Sequence, residues 1–580
     1  IALIAGHSSN VTLRLKGKLD EFQFPDGKGG VFQVTARVSD GVLHYADGWP
    51  DIGNIAGDVV FRGQRMEVNA WQGAIFGVRL SKVRAEIPDL AHENEVLSVS
   101  GDAEGPTSDF FAFIEKSPVA GFTDHFTRGW QAQGTGRLAL TLSIPLRDAA
   151  KSTVAGAYQF ANNTVTISPE LPVMEQAGGR VDFTETTVRM QNVKGVVLGG
   201  PVTISASAAR DAGMRVSFQG RINADIARRA GGPQWLRNLR GATDWRGSLT
   251  DRKGSGADFV IESNLQGLAV NLPAPLMKAA AEALPVRIER RSLAAGQDRL
   301  SLSVGDILGM NLLRRIEGEQ ATITRGSVRF GGVAADSDRD GVWASGTVKM
   351  LDLDRWLDLL GQEGGGTRVE WGGIDLKLGA LDVLGWRFSD LSVKASVQNG
   401  QWRTTLAGKE VNGDATWDPQ GSGKLVARMK TFAIPPAVPG AEQTASREPQ
   451  TRTEPRELPA LDVVAEQFIV KDRLLGRLEA AAVPQGGDWR LERLLLTNPE
   501  SNLKLDGVWQ FAPARPLTQI NLRLEASDIG KLLTRLGQPE GVRRGTAKLE
   551  GSLSWNGSPY ELDYPTMTGT LALEAAKGQF

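Results

Sequence analysis

Along most of this 580-residue chain, apolar and polar residues alternate with a period of two. The stretch "VTLRLKGKL" sets Val11, Leu13 and Leu15 on one face, "GTGRLALTLSI" does so with Leu138, Leu140, Leu142 and Ile144, and "QINLRLEA" with Ile520, Leu522 and Leu524. Near the end, Leu549, Leu553 and Trp555 alternate with polar residues, a turn comes next, and Leu571 and Leu573 resume the pattern. Such alternation predicts half-buried antiparallel strands, with residues i and i+2 on one side of a sheet. Strands of a parallel α/β sheet are apolar on both faces. Here the second face carries Arg, Lys, Thr, Ser and Glu, so one face is wet.

The alternation is organised into repeats. "GDVVFRGQRMEVNAWQGAIFG" from Gly57 and "GRVDFTETTVRMQNVKGVVLG" from Gly179 align without a gap at an offset of 122 (179 minus 57), matching Val59 with Val181, Phe61 with Phe183, Met66 with Val188 and Val68 with Met190. A looser pair aligns Leu384-Gly385, Trp402-Arg403 and Trp417 with Leu475-Gly476, Trp489-Arg490 and Trp509. A third recurring unit is a strand with a short helix after it. In "LRLEASDIGKLLTRLGQPEG", Ser527 or Asp528 is placed as N-cap, Ile529, Leu532, Leu533 and Leu536 stand at helical spacing, and Gly537 stops the helix. "VKMLDLDRWLDLLG" and "INADIARRAGGPQWLRNLRG" are variants, and "PAPLMKAAAEAL" from Pro273 predicts a longer helix opened by prolines. Residues 433–460 are proline-rich and poor in aromatic and β-branched residues, which predicts a disordered insert or linker.

Composition adds exclusions more than chemistry. With 68 glycines and 27 prolines the chain is turn-rich, and 66 Lys+Arg against 67 Asp+Glu leave a net charge of −1, so nucleic acid is not an expected partner. Absence of cysteine removes disulfides, thiolate metal sites and Cys nucleophiles. His7, His44, His92 and His125 form no zinc-type spacing, no Gly-x-Ser-x-Gly elbow occurs, and "GSGK" leads into Leu425 where a phosphate loop has Ser or Thr. "DSDRDG" matches the first half of a calcium loop through Asp336, Asp338, Asp340 and Gly341, but Thr347 stands where the bidentate Glu belongs. Trp371, Trp386, Trp402 and Trp417 sit in strand-like contexts, which fits packing. No catalytic residue, metal or cofactor is expected. No run reaches the length of a membrane span, so any anchor would lie outside this sequence.

Periodicity alone leaves open a sandwich, a β-helix or a long groove. The pattern stops at Phe580 inside an apolar strand, which favours a continuing array. "LPALDVVAEQFIVKDRLLGRLEAAAVPQGGDWRLERLLLTNPESNLKLDGVW", together with "RGTAKLEGSLSWNGSPYELDYPTMTGTLALEAAKGQF" after it, resembles the AsmA-like region of the YhdP family, and "LQGLAVNLPAPLMKAAAEALPVRIER" resembles that family's middle region. The family's amino-terminal membrane helix and carboxy-terminal tail are missing, so an internal piece is expected. The resemblance implies a mainly β, elongated, curled antiparallel groove with few short helices, similar to TamB and chorein-type bridge proteins. It implies a β-groove over 1–432, the insert at 433–460, and an AsmA-like region over 461–580 truncated at its end. It further implies the periplasmic portion of an inner-membrane-anchored Gram-negative protein that carries phospholipid acyl chains between inner and outer membranes and serves outer-membrane lipid homeostasis and barrier integrity. Residues expected to line the groove are Val59, Phe61, Met66, Val68, Leu138, Leu140, Leu142, Val181, Phe183, Val188, Met190, Ile520, Leu522, Leu524, Leu549, Leu553, Leu571 and Leu573. Arg62 and Thr184 are expected on the other face. The alternatives are a structural β-array whose inner face is filled by its own side chains, and an enzyme on a β-helix.

Overall fold

The computed structural model describes residues 2–579 apart from 25–26, 123–126, 168–170, 210–212, 232–233, 253–255, 295, 318–319, 362–367, 384, 436–457, 512–515, 539–542 and 560–561. His125 and most of the proline-rich segment therefore lie outside the described residues. The protein is mainly β, with few short helices, and its strands join edge to edge into open, curled sheet. Two compact units are distinguished, Ile1–Val270 with Lys278–Ala295, and Asn271–Met277 with Gly296–Phe580.

In the first unit the long strands run in succession as an antiparallel meander from Ala2–Gly17 to Val286–Ala294. The gapless sequence repeat is a structural repeat. Val59 pairs with Val68 and Phe61 with Met66 across one hairpin, and Val181 pairs with Met190 and Phe183 with Val188 across another. Bends repeat as well: left-handed residues occur at Asp40 and Asn162, Asn54 and Gln176, and Phe76 and Leu198, each pair separated by the same 122 residues. Asp40, Asn54, Asn162 and Asn192 sit where the pairing register slips. Each slip is a β-bulge, which bends its strand and increases local twist. Asn and Asp suit these positions because their short polar side chains tolerate φ above zero.

The second unit mixes directions. Most neighbours are antiparallel, but Gln320–Phe330 pairs in parallel with Gly341–Asp352, that strand pairs in parallel with Trp371–Val383, and Lys424–Ile434 pairs in parallel with Ala460–Val470. A parallel step needs a connection that returns to the starting edge. Helix Leu353–Gly361 begins one of them and the proline-rich segment occupies another. Residues Lys424 to Ile434 face Ala460 to Val470 directly, so the ladder itself continues from one flank of that segment to the other.

The expected short helices form. Asp528, not Ser527, caps Ile529–Leu536 by accepting from the Lys531 backbone N–H at 3.0 Å, and Gly537 closes it at φ 93°. Ala224–Arg229 is capped by Asn223, whose Oδ1 accepts from the Ile226 N–H at 3.1 Å. The helix predicted from Pro273 does not form. Pro273 and Pro275 push the residues before them out of the helical region. Val270 and Lys278 instead exchange both backbone hydrogen bonds at 2.9 Å, while Lys278 Nζ donates to the Leu268 and Ala279 carbonyls at 2.7 and 2.8 Å. A helix that periodicity does not predict, Thr107–Glu115, comes directly after the strand Val96–Pro106. In the meander, Val96–Pro106 and Gly213–Asn223 run in the same sense, six strands apart, so the helices at their ends leave from one edge of the first unit.

Candidate functional site

Register decides which side chains share a face, because directly opposed residues project to the same side of the sheet. In the first unit Ala36, Val59, Val68, Ala85, Val99, Leu142 and Val154 oppose one another in sequence across successive strands. A second row joins Leu140, Gly156, Phe183, Val188, Ala208 and Met214. A third runs from Ala103 through Leu138, Tyr158, Val181, Met190, Ala206 and Val216 to Leu249. The predicted residues of this unit thus stand together on one face. Phe61 and Phe183 are half-buried there, while Arg62 and Thr184 are exposed.

In the second unit one row is unbroken from strand to strand. It passes from Val304 through Leu308, Phe330, Gly346, Leu376, Val393, Leu406 and Gly413. It continues through Met429, Ala465, Leu478, Leu496, Leu503, Leu524 and Leu549 to Leu573. Leu522 reaches Leu571 across Gly551, and Ile520 opposes Leu553, so the predicted residues of this unit also share one face. The looser sequence repeat is visible as two cross-strand tryptophan pairs, Trp402 with Trp417 and Trp489 with Trp509.

Aromatic rings on the apolar face lie against glycines of the neighbouring strand. A Cβ on Gly156 would run into the Phe183 ring, and one on Gly247 into the Phe218 ring. The ring covers backbone that the glycine leaves bare, which makes a smooth wall instead of knobs. Burial differs along the face. Leu378 and Leu391 are 4% exposed and Ala465 is fully buried, in a cluster with Val348, Leu376, Val411, Ala427, Met429 and Leu478, whereas Leu573 is 67% exposed.

The opposite face carries ion pairs between adjacent strands, including Arg37 with Asp58 at 2.8 Å, Arg428 with Asp462 at 3.0 Å and Arg523 with Glu550 at 3.1 Å. Hydrogen bonding to Arg37 and to Arg428 holds the Asp58 and Asp462 carboxyls below the usual range. Two pairs instead lie in register with the apolar face, towards the strand ends. Arg314 donates twice to the fully buried Asp298 at 2.8 Å, and Arg387 donates twice to Asp382 at 2.7 Å.

The motifs that resembled chemical sites are occupied by local contacts. Asp336 pairs with Arg299 at 3.0 Å and Asp340 with Arg325 at 2.6 Å, so two carboxylates of the "DSDRDG" loop point at strand arginines. His44 sits between Asp51 at 2.8 Å and Asp47 at 3.2 Å, and hydrogen bonding to these two carboxylates, Asp51 foremost, raises its pKa. His92 Nδ1 accepts from the Asn94 N–H at 2.9 Å. Among the described residues no three His, Asp or Glu side chains are grouped to hold a metal ion, and no helix is long and apolar enough to cross a membrane.

An open, curled sheet with one face apolar from strand to strand and the other charged defines a mainly β repeat protein. The chain belongs to the YhdP protein family, whose family model matches residues 1–580. It is 22% identical over 602 positions to the intermembrane phospholipid transporter YhdP of Escherichia coli (strain K12), across all of this chain and 46% of that protein. The chain therefore spans about half the length of this relative.

Proposed function

We propose that the apolar face carries phospholipid acyl chains, and that the chain is a periplasmic section of an intermembrane phospholipid transporter serving outer-membrane lipid homeostasis. The observation that supports this most is the row from Val304 to Leu573, in which every cross-strand neighbour is apolar or glycine. While Leu376, Met429, Ala465 and Leu478 are buried by the protein's own side chains, an acyl chain exchanges one apolar contact for another where the row is open, as at Leu573. Each CH₂ held there instead of in water contributes about 0.8 kcal/mol. The ion pairs of the other face keep the same strands hydrated. The Escherichia coli relative is named for intermembrane phospholipid transport, and such a cargo agrees with this chemistry. Acyl chains and the two membranes are the proposed partners, and no catalytic step is assigned.

The buried cluster around Leu378 and Ala465 supports a second reading, a structural array that fills its own interior. Site-specific photo-crosslinking separates the two. A crosslinker at Phe61 or Phe183 captures phospholipid and one at Arg62 or Thr184 does not, if the face is a conduit. Equal capture at Phe183 and Thr184 would refute the assignment, and capture at none of the four would favour the structural array.

A further inference from the structure

The helices Thr107–Glu115 and Ala224–Arg229 leave from one edge of the first unit, and each meets the turn made by the equivalent hairpins of the repeat. A Cβ on Gly77 would meet the Asp109 carboxylate of the first helix, and one on Gly199 would meet Ala227 and Ile226 of the second. Their settings differ sharply. Ala224 and Ala227 are 0% and 3% exposed in a sealed cluster with Leu236 and Leu268. In Thr107–Glu115 only Thr107 is buried, and Phe110, Phe111, Phe113 and Ile114 are all half-exposed.

The first helix packs on the apolar face through Phe110 and through a polar knot at its start. Phe110 packs edge-on against Tyr158 at 4.9 Å, and Tyr158 stands in the row with Leu138 and Val181. Thr107 Oγ1 lies 2.8 Å from the Tyr158 hydroxyl and accepts a hydrogen bond from Asn163 Nδ2. Asn163 is fully buried, yet its Oδ1 has no partner, so the polar knot beneath the helix is incompletely satisfied. Beyond it, Phe113 reaches Trp49 at 6.0 Å and Phe111 reaches Trp130 at 5.9 Å. Half-buried aromatics and a buried orphan acceptor describe a contact that opens at lower cost than a sealed core.

We infer that Thr107–Glu115 is a gate over the apolar face of the first unit, latched by Thr107, Tyr158 and Asn163, and that acyl chains occupy the wall beside Leu138 only when it lifts. This rests on the acyl-chain reading above. The chain has no cysteine, so Gly77→Cys with Asp109→Cys introduces a single pair, at two positions whose side chains face each other across the turn. Phospholipid capture from phosphatidylethanolamine and phosphatidylglycerol vesicles is then read by photo-crosslinkers at Leu138 and, as reference, at Leu524. Oxidation should lower capture at Leu138 about tenfold, reduction should restore it, and capture at Leu524 should not change. Tyr158→Phe, which keeps the ring and removes the hydroxyl latch, should raise capture at Leu138 about fivefold. Equal capture at Leu138 before and after reduction, with Leu524 active, overturns the gate and leaves the acyl-chain reading standing. No capture at either position in the reduced protein overturns both.

Discussion

The two units differ in strand order and in the residues that most often stand at their bends. In the first, non-glycine residues with φ near 50°, among them Asp40, Asn54, Lys82, Asn162 and Asn192, stand at register slips of a meander, beside a few glycines such as Gly6 and Gly134. In the second, glycines with positive φ stand inside the strands at Gly346, Gly413 and Gly476, and parallel steps interrupt the meander. A bulge consumes an extra residue, and register slips in the second unit too, Gly413 and Gly476 themselves standing at slips. A contrast in continuity stands beside this: the apolar row of the second unit runs unbroken, while the rows of the first are shorter and overlap. It also accompanies a difference in filling: the wall is half-buried at Phe61 and Phe183, but nearly sealed at Leu378 and Ala465.

The contrast breaks most visibly at the buried pair of the second unit. Arg314→Leu leaves the Asp298 carboxylate buried without its arginine and should cost about 3–5 kcal/mol, read by denaturant unfolding. Leu378→Ala should cost about 2–5 kcal/mol by opening a cavity in the sealed cluster. Phe183→Asp tests the first unit's wall: we expect about 1–2 kcal/mol of destabilisation with loss of lipid capture. A loss of stability as large as that of Leu378→Ala would show the first unit to be filled like the second. Asp528→Ala removes the cap of Ile529–Leu536 and should cost about 1 kcal/mol.

The smallest effect is one of pH. His44 gains its proton more readily in the folded protein because Asp51 and Asp47 accept hydrogen bonds from the charged ring. Its pKa being raised on folding, the contact is fully present below the unfolded value of about 6.5 and is lost as pH rises through the folded value. NMR titration should place the His44 midpoint above about 6.5, and Asp51→Asn should bring it down. A midpoint unchanged by Asp51→Asn would show that this carboxylate does not hold the ring.

Strand positions and the shared face of Val59, Phe61, Val181 and Phe183 were legible in the sequence because one-sided burial imposes period two on every strand. The Asp528 cap and the Gly537 stop were legible because both act within one turn. Parallel steps were not, since alternation is blind to which neighbour a strand chooses. The stretch from Pro273 misleads because its alanines favour a helix while its prolines and the carbonyl contacts of Lys278 oppose one, and propensity is the weaker term. Thr107–Glu115 is hidden by its shortness, although Pro106 precedes it and Phe110, Phe113 and Ile114 stand at helical spacing.

Strict antiparallel order has an arithmetical consequence for growth. In the first unit a helix can leave from a given edge only after an even number of strands, and the observed interval is six. Such a sheet lengthens in whole hairpins, because one added strand would send every later helix to the opposite edge. A parallel step lifts that restriction by returning the chain to its starting edge. The second unit can therefore gain or lose a single strand at Gly341–Asp352 or Ala460–Val470 without inverting the strands beyond it, and related chains should vary there by odd counts and elsewhere by even ones.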